Sequence, residues 1–278
     1  MQKKSAISLI SYDAEYLPAS IMSYYAYVDE IVLGLDKNRK TWAGNNFSFD
    51  EQDLFKKLSV IDGDNKITVV EEDFYKSDVF INNDNYERNY LKSHCSHDWL
   101  FSFDADEELL NANHFFESYL PLVEPYYKDY DLAFNWFLPY KEFEDSYLVI
   151  TDERGNWNLQ ETQGFANWKN YEFVYARWTN NAQGAKRVLA TPLAILHWSI
   201  CRKEKELNQK IHNIGHADIV DEDPFYDIWR NINLGNFNEL RNFKTSGFGD
   251  PSQWSRLTQI SKEEFRKKAV EQANMIGI

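Results

Sequence analysis

The sequence predicts an α/β protein built on an open, mixed sheet whose first strands are parallel and flanked by helices. Short apolar segments of strand length alternate with segments of helical periodicity in the first hundred residues, and this alternation is typical of parallel sheets. Two of the predicted strands lead into an acid, Asp36 and Asp104. Because ligands bind at the carboxyl ends of strands in open α/β sheets, we expect a binding site there.

A strand–helix–strand unit opens the chain. We predict a strand over residues 6–11, a helix over residues 15–27 and a strand over residues 30–36. Apolar residues recur at helical spacing within the helix, and Pro18 lies early enough to be accommodated in its first turn. Two strands joined in this way pair in parallel through a right-handed crossover.

The same alternation continues towards the C-terminus. Residues 139–181 are rich in aromatic residues and acids, and we predict that they form strands and loops covering the sheet edge. The other predicted elements are helix 50–58, strand 66–70, helix 83–95, strand 99–103, helix 115–123 closed by Pro125, strand 131–138, a short apolar segment at 193–197, and helices at 203–214, from residue 222 onward and at 262–275.

Composition argues against one class of partner. The 278 residues carry a formal net charge of −14, which opposes binding to nucleic acid because that binding needs clustered Lys and Arg. Aromatic residues make up 16% of the chain, and aromatic faces stack on sugars and bases as well as filling cores. A small phosphorylated ligand held with a metal ion is compatible with the negative charge.

Several features predict a cytoplasmic protein. The two cysteines, Cys95 and Cys201, show no CxxC or zinc spacing, and we expect them to be reduced thiols. The apolar segment at residues 6–10 is too short for a signal peptide, and no segment reaches the length of a membrane span. Peripheral association with the inner face of a membrane is left open, and so is the oligomeric state.

The segment with the most informative chemistry is residues 99–109, WLFSFDADEEL. Since alternate side chains of a strand point the same way, Asp104 and Asp106 converge at the strand end and repel each other unless a cation lies between them. Mg²⁺ and Mn²⁺ prefer oxygen ligands and bridge carboxylates to phosphates. The alternative is a solvated acidic turn that starts the next helix, because acids favour a helix N-terminus.

Four features in order resemble the family 2-type glycosyltransferases with the nucleotide-diphospho-sugar (GT-A) fold. Residues 11–17, SYDAEYL, are similar to the family's Tyr-Asn-x-x-x-x-Leu opening, with Asp13 in place of the usual Asn. The second strand ends in Asp36, where the family places an acid near the uracil base. Arg88 lies in a segment similar to the family's Ala-Arg-Asn, and residues 104–106 form the Asp-x-Asp element.

This resemblance covers residues 6–110 and implies a nucleotide-sugar donor, UDP-linked by preference. The residues it implies for binding the donor are Tyr12, Glu15, Asp36, Arg88 and Asp104. It implies Mn²⁺ or Mg²⁺ held by Asp106. Residues 196–198, followed by Arg202, Glu204 and Lys210, are similar to a His-bearing segment of lipopolysaccharide-type members, and His197 is the candidate for a further metal ligand or a diphosphate contact. We predict a nucleotide-sugar-binding catalytic domain over residues 1–200, with a helical extension over residues 201–278 packed on it.

Structural roles stay open for three of these residues. Asp36 is equally well explained as a turn-forming residue at a strand end. Arg88 has an ion pair with Asp84 or Glu87 as its alternative role. His197 has packing beside Trp198 as its alternative.

The catalytic base is not marked by a pattern. The commonest family pattern carries its base in a later Glu-Asp pair, for which this chain has no clear counterpart. Glu161 is the preferred candidate because its aromatic neighbours in sequence, Trp157 and Phe165, would raise its pKa by desolvation. Glu153 is the second candidate. The remaining acids in the interval are Glu142, Glu144, Asp145, Asp152 and Glu172.

The predicted function is therefore metal-dependent, inverting transfer of a sugar from a nucleotide sugar to a carbohydrate or glycolipid acceptor. The resemblance implies a role in bacterial surface polysaccharide or lipopolysaccharide synthesis. Two alternatives stay open. One is a non-catalytic carbohydrate- or nucleotide-binding protein. The other is a nucleotidyltransferase, although residues 11–18 lack the Gly, Lys and Arg that its phosphate-binding loop needs.

Overall fold

The computed structural model describes residues 2–127, 130–157, 160–168, 171–180, 188–215, 222–243 and 255–276. The described strands are β1 (Lys4–Ile10), β2 (Glu30–Asp36), β3 (Ile67–Glu72), β4 (Trp99–Ser102), β5 (Glu107–Leu109), β6 (Asp131–Phe137), β7 (Pro139–Glu142), β8 (Ser146–Thr151), β9 (Gln160–Trp168), β10 (Phe173–Tyr175), β11 (Trp178–Thr179), β12 (Val188–His197) and β13 (Arg256–Ser261). The described α-helices are α1 (Leu17–Tyr24), α2 (Glu51–Ile61), α3 (Phe80–His94), α4 (Leu120–Tyr127), α5 (Glu204–Ile211), α6 (Glu222–Asn231) and α7 (Lys262–Ile276).

Eight of these strands form the main sheet, in the order β3-β2-β1-β4-β9-β6-β12-β5. The first four strands in this order are mutually parallel. β9 is antiparallel to both of its neighbours, and β5 is antiparallel to β12. The predicted fold class, an open mixed α/β sheet of Rossmann-like type flanked by helices, is confirmed.

Helices cover both faces of the parallel half of the sheet. Alternate side chains of β1 point to opposite faces. Ala6 belongs to a core cluster that includes Leu17 of α1, whereas Ile7 belongs to a second cluster that includes Leu91 of α3. Burial on both faces explains why β1 and β2 are nearly continuous apolar segments instead of alternating ones.

The elements predicted for the first 110 residues are present, with some ends shifted. β2 has the predicted bounds. α2 begins after Asp50, whose carboxylate accepts a hydrogen bond from the backbone N–H of Asp53 at 2.9 Å and caps the helix. α3 begins at Phe80, three residues earlier than predicted, because the helix-breaking signals before it are weak.

Pro125 does not close the helix predicted at residues 115–123. A π-helical segment spans His114–Tyr119, and α4 then continues through Pro125 to Tyr127. Proline removes one backbone donor and usually ends or kinks a helix. Here the described helix continues past the proline to Tyr127, so Pro125 lies inside the helix and does not end it.

β9 corrects the prediction that residues 139–181 cover the sheet edge. This strand lies in the middle of the main sheet, between β4 and β6. Its backbone pairs with Trp99–Phe101 on one side and with β6 on the other. Sheet order depends on pairings between segments far apart in sequence, which local periodicity does not encode.

The C-terminal segment adds a strand as well as helices. β13 pairs with β8, and together with β7 they form a separate antiparallel sheet of three strands. α7 packs against β12, where Phe265 and Ala269 share a buried cluster with Phe137 and Ala194. β13 was not predicted, while the division into domains at residue 200 stays a prediction.

Two further observations concern surface and thiols. Within the described ranges, no helix has both the length and the apolar character needed to cross a membrane. Cys95 and Cys201 are buried and free of disulfides. The cytoplasmic location stays a prediction.

Gly34 of β2 marks a close approach of α3 to the sheet. A β-carbon on Gly34 would lie 2.6 Å from Oε1 of Glu87 and 2.9 Å from Cδ1 of Leu91. We expect Gly34→Ala to lower the free energy of unfolding by about 1–3 kcal/mol, because α3 must move outwards. Chemical denaturation measures this difference. Gly63→Ala is the matched control, with nothing within 4 Å of its added carbon, and equal losses in the two variants would contradict the close approach.

Candidate active site

A cleft lies at the carboxyl ends of β1, β2 and β4. Its empty volume is about 610 Å³, a value that includes space open to solvent. Tyr12 and Asp13 follow β1, Asp36 ends β2, and residues 104–106 follow β4, and all of them line the cleft. The acids predicted from separate strand ends therefore lie together, as the parallel order of these strands requires.

The opposite wall of the cleft comes from two other segments. Lys40, Thr41 and Trp42 lie in the loop after β2, while Lys210 and Asn213 lie in and just after α5, and all five line the cleft. The Thr41 hydroxyl donates to Oδ1 of Asn213 at 2.8 Å. This hydrogen bond joins the two segments and fixes the C-terminal end of α5 over the cleft.

Asp106 is the most heavily paired acid of the cleft, and it is buried. Its Oδ2 accepts hydrogen bonds from Nζ of Lys210 at 2.5 Å and from the guanidinium of Arg202. Nε2 of His197 lies 3.5 Å from the same oxygen. Burial raises the pKa of Asp106, but the charges of Lys210 and Arg202 outweigh burial and hold the pKa well below its ordinary value. Asp106 is therefore ionised at neutral pH.

Asp104 is paired with two other cations. Its Oδ1 accepts from Nη2 of Arg88 at 3.0 Å, and its Oδ2 is ion-paired with Arg177. Burial raises the pKa of Asp104, but Arg177 and Arg88 outweigh burial and lower the pKa far below its ordinary value. The Asp104 side chain is 29% exposed and faces the cleft, while its charge is paired with the buried side chains of Arg88 and Arg177.

Arg88 is the buried residue that donates to Oδ1 of Asp104. Its Nε donates to Asp84 at 2.5 Å, and its Nη1 donates to the Ser102 hydroxyl at 2.7 Å. The ion pair with Asp84, which the sequence left as an alternative, is present together with the contact to Asp104. Arg88 is buried behind the residues that line the cleft, and a direct contact with a nucleotide stays a prediction.

Asp36 organises the loop that follows β2. Its Oδ1 accepts from the backbone N–H groups of Asn38 and Lys40 at 2.8 and 2.9 Å. Its Oδ2 accepts from the backbone N–H of Phe74 at 2.7 Å. The turn-forming role left open by the sequence is thus present. Asp36 also lines the cleft, and its contact with a base stays a prediction.

Tyr12 and Glu15, the two predicted site residues that follow β1, lie in different places. Tyr12 lines the cleft, and burial raises the pKa of its hydroxyl well above the ordinary value. Glu15 is exposed and lines a neighbouring hollow with Asp50 and Lys57. The structure therefore brings Tyr12 to the cleft beside Asp104 and Asp106 and places Glu15 outside it.

His197 ends β12 beside Asp106. Its ring lies 4.4 Å from that of Trp136, centroid to centroid. The packing role left open by the sequence is therefore present, with Trp136 as an aromatic partner. Neither ring nitrogen has a hydrogen-bond partner within the described part of the chain. Burial lowers the pKa of His197 more than Asp106 raises it, so the imidazole is neutral at pH 7 and can serve as a ligand.

The predicted base candidates lie mostly away from the cleft. Glu161 lies near the start of β9, opposite Asn135 of β6. Because β9 is antiparallel to β4, its first residues lie towards the end of the sheet where Asp104 lies. The side chain of Glu161 is outside the described part of the structure, and its role stays a prediction. None of the other candidates lines the cleft; they are Glu142, Glu144, Asp145, Asp152, Glu153 and Glu172.

Ion pairs and hydrogen bonds explain the positions of most of these other candidates. Glu142 pairs with Lys262, Glu153 with Arg256 and Glu172 with Lys92. Asp152 accepts hydrogen bonds from its own exposed turn. They are surface acids with structural partners.

The residues at Asp106 fit a metal site that has only one or two protein ligands. Across the described ranges, no three His, Cys, Asp or Glu side chains form a metal-binding group. Mg²⁺ and ions of similar chemistry, however, commonly use one or two protein ligands and take the others from substrate phosphates and water. Asp106 and the unpartnered His197 could supply two donors of that kind. The Mn²⁺ or Mg²⁺ ion stays a proposal.

Arg177 and Glu107 are site residues that sequence reasoning missed. Glu107 is buried and accepts from Nε1 of Trp136 at 2.8 Å and from the backbone N–H of Asp104 at 3.0 Å. Burial raises the pKa of Glu107 to about 8, although Arg177 opposes the rise. Its position next to Asp106 was a usable signal. Arg177 had none, since it follows Ala176 in an aromatic segment without a motif.

A second buried acid was also missed. Glu87 of α3 lines the cleft and accepts a hydrogen bond from Nε1 of Trp42 at 2.7 Å. Burial raises the pKa of Glu87 to about 8, because Trp42 and Arg88 offset burial only in part. The pair forms the end of the cleft near Asp36.

Comparison with solved structures gives alignments of low TM-score and low sequence identity. No protein-family model matches the chain, and no curated protein matches it. A crystal structure of S. aureus TarS 1–349 in complex with UDP-GlcNAc aligns with 49% of this chain at 12% identity and a TM-score of 0.32. The inositol-1-phosphate CTP transferase from T. maritima aligns with 76% of this chain at 14% identity and a TM-score of 0.39.

The lengths covered in these two proteins differ. The alignment covers 34% of the TarS chain, so this chain spans about a third of that structure. It covers 98% of the T. maritima chain. Similarity at this level does not identify the reaction of this chain.

Glu87 gives a pH-dependent prediction. A carboxyl with a folded pKa of about 8 against an ordinary value of 4.5 binds its proton more strongly in the folded chain. The protonated Glu87 therefore stabilises the folded protein fully below about pH 4.5, and this contribution is lost as the pH rises towards 8. We expect Glu87→Gln to gain stability relative to wild type over this range, by at most about 1.4 kcal/mol per pH unit. Urea denaturation from pH 5 to 8.5 measures the difference, and a pH-independent difference would contradict the prediction.

Proposed function

We propose that this protein is a glycosyltransferase that uses a nucleoside-diphosphate sugar as donor, UDP-linked by preference. The observation that carries the proposal is the convergence of Asp36, Asp104 and Asp106 around one cleft at the carboxyl ends of parallel strands. Cationic and aromatic side chains complete the same cleft. This combination suits a ligand with a base or sugar ring at one end and a diphosphate in the middle.

The cleft divides into a nucleoside end and a diphosphate end. At the nucleoside end, Trp42 offers an aromatic face and Asp36 a polar group, while Tyr12 lies towards Asp104 and Asp106. At the diphosphate end, Lys210 lies beside Asp106 and provides a positive charge for the leaving group. A Mn²⁺ or Mg²⁺ ion held by Asp106 and His197 would supply further positive charge there.

The finer parts of the proposal concern the acceptor. Inverting transfer needs a carboxylate that removes the proton of the attacking acceptor hydroxyl, and Glu161 stays the candidate. The proposed acceptor is a carbohydrate or glycolipid in bacterial surface polysaccharide or lipopolysaccharide synthesis. This role is consistent with a cytoplasmic protein at the inner face of a membrane.

Thermal unfolding with a panel of nucleotides tests the proposal. A ligand that binds only the folded protein stabilises it by about 2.7 kcal/mol at 100 times its Kd. We expect UDP with Mn²⁺ to raise the melting temperature and Asp106→Asn to abolish the shift. Asp98→Asn, an exposed surface change, is the control and should keep it. Absence of a shift with every nucleoside diphosphate, with and without metal, would contradict the proposal.

Transfer from UDP-sugars gives a second test with a kinetic outcome. We expect Asp106→Asn to lower kcat by about 100-fold or more, in the range seen when one group that stabilises a leaving charge is removed. Detection of released UDP together with product mass identifies the reaction. Incorporation of CTP or UTP into a sugar phosphate, with pyrophosphate released, would instead identify a nucleotidyltransferase. Sugar binding without any nucleotide would identify a lectin-like protein.

A further inference from the structure

Asp106 has cationic partners before any donor is bound. Resting on the proposed function, we propose that Lys210 is an exchangeable counter-ion. Lys210 neutralises Asp106 in the nucleotide-free protein, and it moves to the diphosphate when a divalent metal ion enters with the nucleotide. Metal and nucleotide then bind this chain as a cooperative pair.

The first observation is competition for one oxygen. Nζ of Lys210 lies 2.5 Å from Oδ2 of Asp106, and the guanidinium of Arg202 contacts the same atom. Nε2 of His197, the other predicted metal ligand, is 3.5 Å from this oxygen. A divalent ion held between His197 and the nearby Oδ2 of Asp106 would therefore share that oxygen with two positive charges.

The second observation is the charge of the ion-pair network around this oxygen. Four cations are joined by ion pairs to four aspartates and to Glu107, so the network carries no surplus of positive charge even when Glu107 is protonated. The cations are Arg88, Arg177, Arg202 and Lys210, and the carboxyl groups are Asp13, Asp84, Asp104, Asp106 and Glu107. A diphosphate alone adds uncompensated negative charge, whereas a diphosphate with a divalent ion leaves the balance nearly unchanged.

Packing indicates that Lys210, and not Arg202, is the partner of Asp106 that can move. Nε of Arg202 donates to the Trp198 carbonyl at 2.8 Å, its Nη2 lies 3.2 Å from Asp13, and its guanidinium lies over the Tyr16 ring at 4.7 Å. The Arg202 side chain is 1% exposed and the Lys210 side chain is 13% exposed. Arg202 is thus fixed on several sides, while Lys210 ends a flexible stem that is more exposed than Arg202.

The backbone that carries Lys210 is held in place. Asn213, one turn further on, accepts from the Thr41 hydroxyl at 2.8 Å and from Asn45 at 3.1 Å. At the other end of α5, Glu206 accepts from the Tyr16 hydroxyl at 3.0 Å. A change of partner at Lys210 therefore needs only a side-chain rotation, and both positions of its ammonium lie within the same cleft.

Thermodynamic linkage gives the measurable consequence. If Lys210 opposes metal binding in the free protein and supports diphosphate binding in the complex, its removal must affect the two ligands in opposite directions. Metal alone should bind more tightly and nucleotide more weakly. The factor by which UDP tightens Mn²⁺ binding must equal the factor by which Mn²⁺ tightens UDP binding.

The test measures Mn²⁺ affinity from the electron paramagnetic resonance signal of free Mn²⁺, with and without UDP. We expect Lys210→Met to tighten Mn²⁺ binding without nucleotide, and to reduce the UDP–Mn²⁺ coupling, each by about 5-fold or more. Lys210→Arg keeps the charge and should retain weak Mn²⁺ binding. Lys205→Met, on the exposed face of the same helix, should match wild type. Melting temperatures confirm that each variant is folded.

Each outcome has a defined meaning. Unchanged or weaker Mn²⁺ binding in a folded Lys210→Met variant, or equal effects of Lys210→Met and Lys210→Arg, overturns the exchange. If wild type binds no nucleotide, the proposed function fails, while tighter Mn²⁺ binding in Lys210→Met still supports the competition at Asp106. If UDP binds equally well with and without Mn²⁺, the donor site stands and the exchange is overturned.

Discussion

The structure depends on the pairing of buried charges at the end of β4. A buried carboxylate is costly unless a positive charge and hydrogen bonds accompany it. Asp106 is buried and accepts from Lys210 and Arg202, and Asp104 beside it is paired with Arg88 and Arg177. These ion pairs fix the direction of both carboxylates and keep them ionised inside a largely apolar sheet.

The four cations come from four separate parts of the chain. Arg88 lies in α3, Arg177 between β10 and β11, Arg202 before α5, and Lys210 in α5. Asp104 and Asp106 lie in one short segment, but their neutralisation requires α3, the β10–β11 pair and the segment that carries Arg202 and Lys210 to be in place together. Residues that share one ion-pair network are energetically coupled, so a change at one cation should affect the others.

The sequence predicted the part of the fold that depends on local residue patterns. β1, β2 and β4 are apolar segments that end in polar groups, so their type and the meeting of Asp36 and Asp104 at one edge followed from alternation alone. β9 did not follow, because its place between β4 and β6 is set by backbone pairing across distant segments. Pro125 shows the same limit, since a proline rule was outweighed at the end of α4.

The candidate site divides in the same way. Asp104 and Asp106 were recognisable from a two-residue period, and Arg88 from the resemblance of its segment to the family's Ala-Arg-Asn. Arg177 was not recognisable, because an arginine in an aromatic segment reveals its role only when β10 and β11 bring it to Asp104. Glu87 and Glu107 look like ordinary surface acids in a helix and a turn, and burial alone separates them from the others.

A crystal structure with UDP and Mn²⁺ tests the central claim most directly, because it locates the ligand, the metal and Lys210 together. The account predicts a diphosphate in the cleft between Asp106 and Lys210, with the base towards Trp42 and Asp36. It also predicts that Nζ of Lys210 contacts a phosphate oxygen and no longer Oδ2 of Asp106. Nucleotide bound outside this cleft, or bound in it with the metal away from Asp106, would contradict the account.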